Sequence, residues 1–185
     1  TPFCHAGFAG ETRVYVRRQL DEYITFLEQA CGKNFDYERL ADVGRLSLEG
    51  QRLWQAVLDT TANRPTPMSA FDAFYHLALI VTLRGTEDVT EYYKQLLGKM
   101  KDRVARGIGA VQGEKYRLLW DNIPIWPRTR WLFNKFASHQ ACLVADTYTS
   151  AWCGTMQYID EDNFLDSMAE AYTRIYLNIG GDEMA

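Results

Sequence analysis

Two short apolar runs, Tyr116–Trp120 and Ala141–Ala145, constrain this 185-residue chain more than any other feature. Each has the length of a buried strand. The first is broken by Asp121-Asn122-Ile123-Pro124, because proline lacks the N–H a ladder needs and its ring disfavours helix in the residue before it. Pro127 can then occupy the first turn of a helix, where its missing N–H is no loss. Trp131, Leu132, Phe133 and Phe136 fall mostly on one broad face of that helix. The second run ends at Asp146-Thr147-Tyr148-Thr149-Ser150. Two buried strands joined through a helix make a parallel βαβ unit with a right-handed crossover. Ligands gather at the carboxyl ends of such strands, which points to the loops Asp121–Trp126 and Asp146–Trp152. Trp120, Trp126, Tyr148 and Trp152 are the side chains able to wall a pocket there, and Asn122, Asp146 and Thr147 those able to hydrogen-bond a ligand. Asp146 is equally suited to cap the turn that follows it.

The chain before this unit reads as helices. Val16, Leu20, Tyr23, Ile24, Leu27 and Cys31 recur at three and four residues between Glu11 and Gly32, a helix stopped by glycine. A short helix is expected around Glu38–Val43, and a second one capped by Ser47 with the stripe Leu53, Trp54, Val57, Leu58. Ser69 with Asp72 has the spacing of a capping box and opens a helix reaching Thr82. Thr86 opens another, which runs to about Arg106. Gly107, Gly109 and Gly113 make a hinge, and Asn163–Leu177 reads as a last amphipathic helix. The expectation is an α/β chain with a large helical part: a helical domain with an N-terminal loop over residues 1–110, then a partial parallel-sheet domain over residues 111–185.

EKYRLLWDNIPIW (Glu114–Trp126), followed by VADTYTSAW (Val144–Trp152), resembles the β-type subunits of the 2-hydroxyacyl-CoA dehydratase and benzoyl-CoA reductase family. YVRRQLDEYITFLEQACGKNFDYERL (Tyr15–Leu40) resembles the helical part of the same subunits. The resemblance implies a flavodoxin- or Rossmann-like three-layer domain after the helical one, and a [4Fe–4S] cluster held by cysteine thiolates at a subunit interface. It also implies one-electron radical chemistry on an acyl-CoA thioester, either loss of a 2-hydroxyl or reduction of an aromatic ring. The partners it implies are a paired homologous subunit, in a heterodimer, and an ATP-dependent activator protein. Family subunits are longer than this chain, so the expectation is a piece of a larger subunit. Cys4 and Cys153 are the loop cysteines to test as cluster ligands, and His5, beside Cys4, is the one to test as a proton donor. The rival reading is a non-catalytic partner that docks a second subunit or binds an acyl-CoA without a cluster. An unrelated α/β binding domain is the third.

Composition limits the alternatives. A formal charge of −4 argues against nucleic acid, which needs clustered Lys and Arg. Lys99, Lys101, Arg103 and Arg106 read as a solvated helix end, with approach to a CoA phosphate as the alternative. No apolar run reaches the length of a membrane span, and TPFCHAGFAGE is not built as a signal peptide. Four cysteines without a CxxC pair suggest a reducing cytoplasm. Cys31 and Cys142 lie on apolar faces and are expected in the core. His76 falls in a helix and His139 at a helix end, where the dipole favours it.

Overall fold

The computed structural model describes residues 9–175. The helices are α1 (Ala9–Cys31), α2 (Tyr37–Asp59), α3 (Ala70–His76), α4 (Ala78–Thr82), α5 (Glu87–Ala105), α6 (Thr129–Ala137), α7 (Thr147–Ser150) and α8 (Phe164–Thr173). Strands β1 (Tyr116–Trp120) and β2 (Ala141–Asp146) lie between α5 and α7, on either side of α6. This is the expected α/β chain with a large helical part. By compactness it falls into two units, one made of residues up to Arg45 with those from Gly154 onward, the other of Leu46–Cys153. The division near residue 110, drawn from the sequence, concerns domain organisation and stays a proposal.

In the first unit α1 packs along α8. Ile24, Phe164, Ala169 and Ala171 are its buried apolar residues, and Arg17 Nε stands 3.0 Å from Asp166 Oδ1. Gly32 closes α1 with φ +64°, a left-handed conformation that glycine adopts without strain. Cys31 is exposed rather than buried, which corrects its place in the core. It is the last residue of α1, beyond the reach of the packed stripe.

The expected pair of helices over residues 38–58 is instead one helix, α2. Gly44 does not break it, because its missing side chain makes the room that the Phe164 ring fills. Ser47 sits inside the helix, its Oγ accepting from Gln51 Nε2 at 3.5 Å and Arg84 Nη1 at 3.4 Å. The opposite correction applies to the helix expected from Ser69 to Thr82, which is interrupted at Leu77. The capping box at its start is present, with Ser69 Oγ accepting from Asp72 N and Asp72 accepting from Ser69 N. Inside it, the Tyr93 hydroxyl donates to His76 O at 3.0 Å and accepts from Ile80 N at 3.2 Å. It therefore stands between the two groups that would otherwise close one turn of the ladder, a recognised cause of helix kinks.

β1 and β2 pair in parallel, Tyr116 opposite Ala141 and Trp120 opposite Asp146, with a register shift between Leu118 and Leu119. β2 is buried over Ala141–Leu143, where it meets α3 and α6. β1 is not the buried strand its composition suggested, since Leu119 is 67% exposed and Tyr116 and Leu118 are also exposed. Among the described residues β1 is hydrogen-bonded along one edge only, and Trp120 is the side chain it adds to the aromatic core against β2. The core against the sheet is aromatic. Phe71, Phe74 and Leu143 are buried at its centre, with Trp120, Phe133, Phe136 and Tyr148 packed around them. Trp54 of α2 is fully buried against Tyr93, ring centroids 5.1 Å apart, and its Nε1 donates to Thr149 O at 3.1 Å.

Trp54 therefore joins α2 to the turn after β2. Trp54→Ala is expected to lose roughly 3–5 kcal/mol of stability. Trp54→Phe keeps a ring but removes the donor, for a loss of roughly 1–3 kcal/mol. Equilibrium urea unfolding followed by circular dichroism measures both, and a Trp54→Phe variant as stable as the parent would contradict the role given to this bond.

Candidate functional site

The carboxyl ends of β1 and β2 open into a cleft of about 340 Å³. Leu119, Val144 and Ala145 belong to the strands that contribute to it. Gln55, Leu58 and Asp59 come from the last turns of α2, Thr61 from the 3₁₀ turn that follows, and Ser69, Ala70 and Ala73 from the start of α3. Asp146, Thr147, Thr149 and Ser150 close it from the turn after β2. Its lining is rich in hydroxyls and holds two carboxylates and an amide, with no Lys or Arg.

Asp146 shapes this turn as an N-cap. Its Oδ1 accepts from Thr149 N at 2.5 Å and its Oδ2 from Thr149 Oγ1 at 2.6 Å, the bonds that satisfy an otherwise orphaned helix-start N–H. The residue is only 6% exposed. Burial pushes its carboxyl pKa up, against the bonds from Thr149, which favour the charged form. Thr147 ties the two loops together. Its hydroxyl donates to Asp121 Oδ1 at 2.8 Å and accepts from Asn122 N at 2.9 Å. Asn122 itself turns the chain with φ +72° and accepts from Ile123 N at 2.7 Å, the local bond that lets asparagine adopt this conformation.

The structure separates the residues that the sequence grouped. Asp146 and Thr147 line the cleft, and Asn122 reaches it through Thr147. Trp120, Trp126 and Tyr148 belong to the aromatic layer, Trp126 lying 6.2 Å from Phe74 and 6.3 Å from Tyr148 between ring centroids. Trp152 lies under the Arg84 guanidinium at 6.0 Å, and its carbonyl accepts from Arg84 Nη2 at 3.2 Å. Neither His76 nor His139 lines the cleft. Cys4 and His5 fall outside the described residues. Gln55 and Asp59 are the contributors that no motif announced. The available signal was a polar pair one helical turn apart beside Trp54, Val57 and Leu58, and Gln55 Nε2 does donate to Asp59 Oδ1 at 2.8 Å.

An iron–sulfur cluster needs converging thiolates. Among the described residues no three His, Cys, Asp or Glu side chains converge to hold a metal ion. Cys142 and Cys153 are buried, which pushes both thiols up to about 12, away from the thiolate that ligation uses. The Cys153 thiol instead donates to Ser150 O at 3.5 Å. The described residues do not fit a cluster, and what they offer at the cleft is hydrogen bonding and a carboxyl whose burial favours the proton.

Comparison with known proteins gives one consistent relationship. The profile of the family described as "2-hydroxyglutaryl-CoA dehydratase, D-component" matches residues 2–180. The chain is 35% identical over 187 residues to the (R)-2-hydroxyisocaproyl-CoA dehydratase alpha subunit of Clostridioides difficile, covering 100% of this chain and 45% of that protein. It is 30% identical over 179 residues to the lactoyl-CoA dehydratase alpha subunit of Anaerotignum propionicum, covering 96% and 42%. It is 34% identical over 146 residues to one of the benzoyl-CoA reductase subunits of Thauera aromatica, covering 74% and 34%. The chain thus spans less than half the length of these curated relatives. Both dehydratase relatives are named as alpha subunits, so the β-type label is not fixed by them.

The raised pKa of Asp146 gives a signed prediction. A carboxyl whose folded value lies above its ordinary 3.8 contributes stability that is fully present below 3.8 and is lost as pH rises through the folded value. Asp146→Asn cannot titrate there yet keeps an oxygen for Thr149 N. The stability of the parent relative to Asp146→Asn should therefore fall as pH rises from 3.8 through the raised folded value. Urea midpoints across that range measure it, and a constant difference would contradict the burial effect.

Proposed function

We propose, from the premise that this chain belongs to the 2-hydroxyglutaryl-CoA dehydratase D-component family, that it supplies the acyl-CoA-binding wall of a subunit acting on acyl-CoA thioesters. The reaction is loss of the 2-hydroxyl from a 2-hydroxyacyl-CoA, with reduction of an aromatic acyl-CoA as the second possibility, drawn from the benzoyl-CoA reductase relative. The observation that carries this reading is the cleft at the carboxyl ends of β1 and β2, rich in hydroxyls and free of Lys and Arg. Such a lining suits a neutral, hydroxyl- and amide-bearing ligand. Thr147, Gln55 and Asp59 would hold and orient it. Asp146, buried and with its pKa raised, keeps a carboxyl beside the cleft that can retain a proton in a low-dielectric setting.

A [4Fe–4S] cluster, as the family resemblance implies it, supplies one-electron chemistry when bound. Its thiolates would come mainly from other parts of the full-length subunit. The paired homologous subunit and an ATP-dependent activator belong to the same reading, which is supported by relatives that are themselves named as subunits. So does a cytoplasmic location. Among the described residues no helix is long and apolar enough to cross a membrane.

Isothermal titration of the full-length gene product, with its paired subunit, tests the reading. A 2-hydroxyacyl-CoA should bind, and Asp59→Asn combined with Thr147→Val should weaken it at least tenfold, about 1.4 kcal/mol. Affinity unchanged by the double substitution would remove the cleft from the site. Binding without turnover, with activator and ATP present, would favour the non-catalytic partner.

A further inference from the structure

A second cavity, of about 760 Å³, lies at the other end of β1, between the Arg64-Pro65 segment and the loop from Gly107 to Lys115. Its chemistry is the reverse of the cleft's. Arg64, Lys115 and Arg117 line it with a single carboxylate, Glu114. Glu114 is committed to Arg117, whose Nη1 lies 2.6 Å from Glu114 Oε1. Among the described residues neither Arg64 nor Lys115 is paired with a carboxylate. Lys115 Nζ stands over the Tyr116 ring at 5.4 Å, a contact that leaves its charge uncompensated by any anion. The N–H groups of Gly109, Gln112 and Gly113 donate to no protein acceptor among the described residues. Free amides close together, beside cations that lack an anionic partner, are the elements of an anion-binding concavity.

The loop is held in shape before any ligand arrives. Arg103 donates from Nε to Pro67 O at 2.9 Å and from Nη2 to Gly109 O at 3.0 Å. Ala110 N donates to Thr66 O at 2.8 Å, and Thr66 N donates to Glu114 Oε2 at 2.7 Å. Glycine is favoured at three points, the first being Gly107 with φ +64°. A Cβ on Gly109 would lie 2.6 Å from Pro65 Cβ, and Gly113 has φ +67°.

The two cavities share a wall. Arg117 lines this one, Thr61 lines the cleft, and Arg117 Nη2 donates to Thr61 O at 2.6 Å. We infer that the cavity of the Gly107–Lys115 loop is a phosphate site, taking the anionic nucleotide end of the acyl-CoA whose neutral part occupies the cleft. This inference rests on the acyl-CoA reading for its ligand, and on Arg64, Lys115 and the free amides for its charge. The cleft itself, lined by Asp59 and by no Lys or Arg among the described residues, is electrostatically unfavourable for phosphates.

The test uses the full-length gene product and three probes: coenzyme A, pantetheine, which lacks the phosphates, and inorganic pyrophosphate. Arg64→Glu combined with Lys115→Glu reverses two charges, and Arg64→Gln with Lys115→Gln removes them at similar length. Coenzyme A affinity should fall at least tenfold in the first variant and by a smaller factor in the second. Pantetheine binding and the thermal midpoint should stay as in the parent, and pyrophosphate should compete with coenzyme A only in the parent. Coenzyme A binding that is the same in parent and both variants would overturn the site. If pyrophosphate binds the parent and not the variants while neither coenzyme A nor pantetheine binds, the phosphate cavity stands and the acyl-CoA reading fails.

Discussion

The partly buried pair Glu114–Arg117 ties the start of the sheet to the segment between α2 and α3, beside both cavities. The Glu114 side chain is 4% exposed and that of Arg117 18%, so each charge has given up most of its hydration. Such a pair is tolerable only when the remaining polar atoms are also satisfied. Here they are. Arg117 donates to Thr61 O and Asn63 O, and Glu114 accepts from Thr66 N. Two segments distant in sequence thus meet at one point: residues 61–66, between α2 and α3, and the start of β1. Removing one partner would leave a partly buried charge and its backbone partners unsatisfied, a loss of about 1–3 kcal/mol.

From that junction the electrostatics of the two ends of the sheet diverge. Toward the carboxyl ends of the strands the lining is hydroxyls, Gln55, Asp59 and the buried Asp146, and the turn is locked by Thr147 and Thr149. Toward the amino end of β1 stand glycines, free amides and cations without an anionic partner. The aromatic residues that crowd the same loops have a different task. Trp120, Trp126 and Tyr148 surround Phe71 and Phe74 and hold α3 and α6 on the sheet.

Much of this was legible from local chemistry. The strands were marked by apolar runs ended by proline or by an Asp-Thr turn, and the caps at Ser69 and Asp146 by residue type and spacing. Family membership followed from the motifs around them. What the sequence hid depends on distant contacts. The break at Leu77 comes from the hydroxyl of Tyr93, and the continuity of α2 through Gly44 from the ring of Phe164. The exposure of β1 depends on which layer covers it, which an apolar run does not encode. Cys31 has the spacing of a core residue but sits at the helix end. No motif marked the buried role of Glu114, or Gln55 and Asp59 as lining of the cleft. Their roles appear only when α2 is laid against β1.

The most direct measurement is hydrogen–deuterium exchange by mass spectrometry on the full-length protein, comparing the parent with Glu114→Gln. If this ion pair is the junction described, peptides covering residues 60–67 and 106–118 will lose protection together. Peptides from α1 will exchange as before. Unchanged protection, or a loss confined to one of the two segments, would mean that the junction is held by packing rather than by this pair.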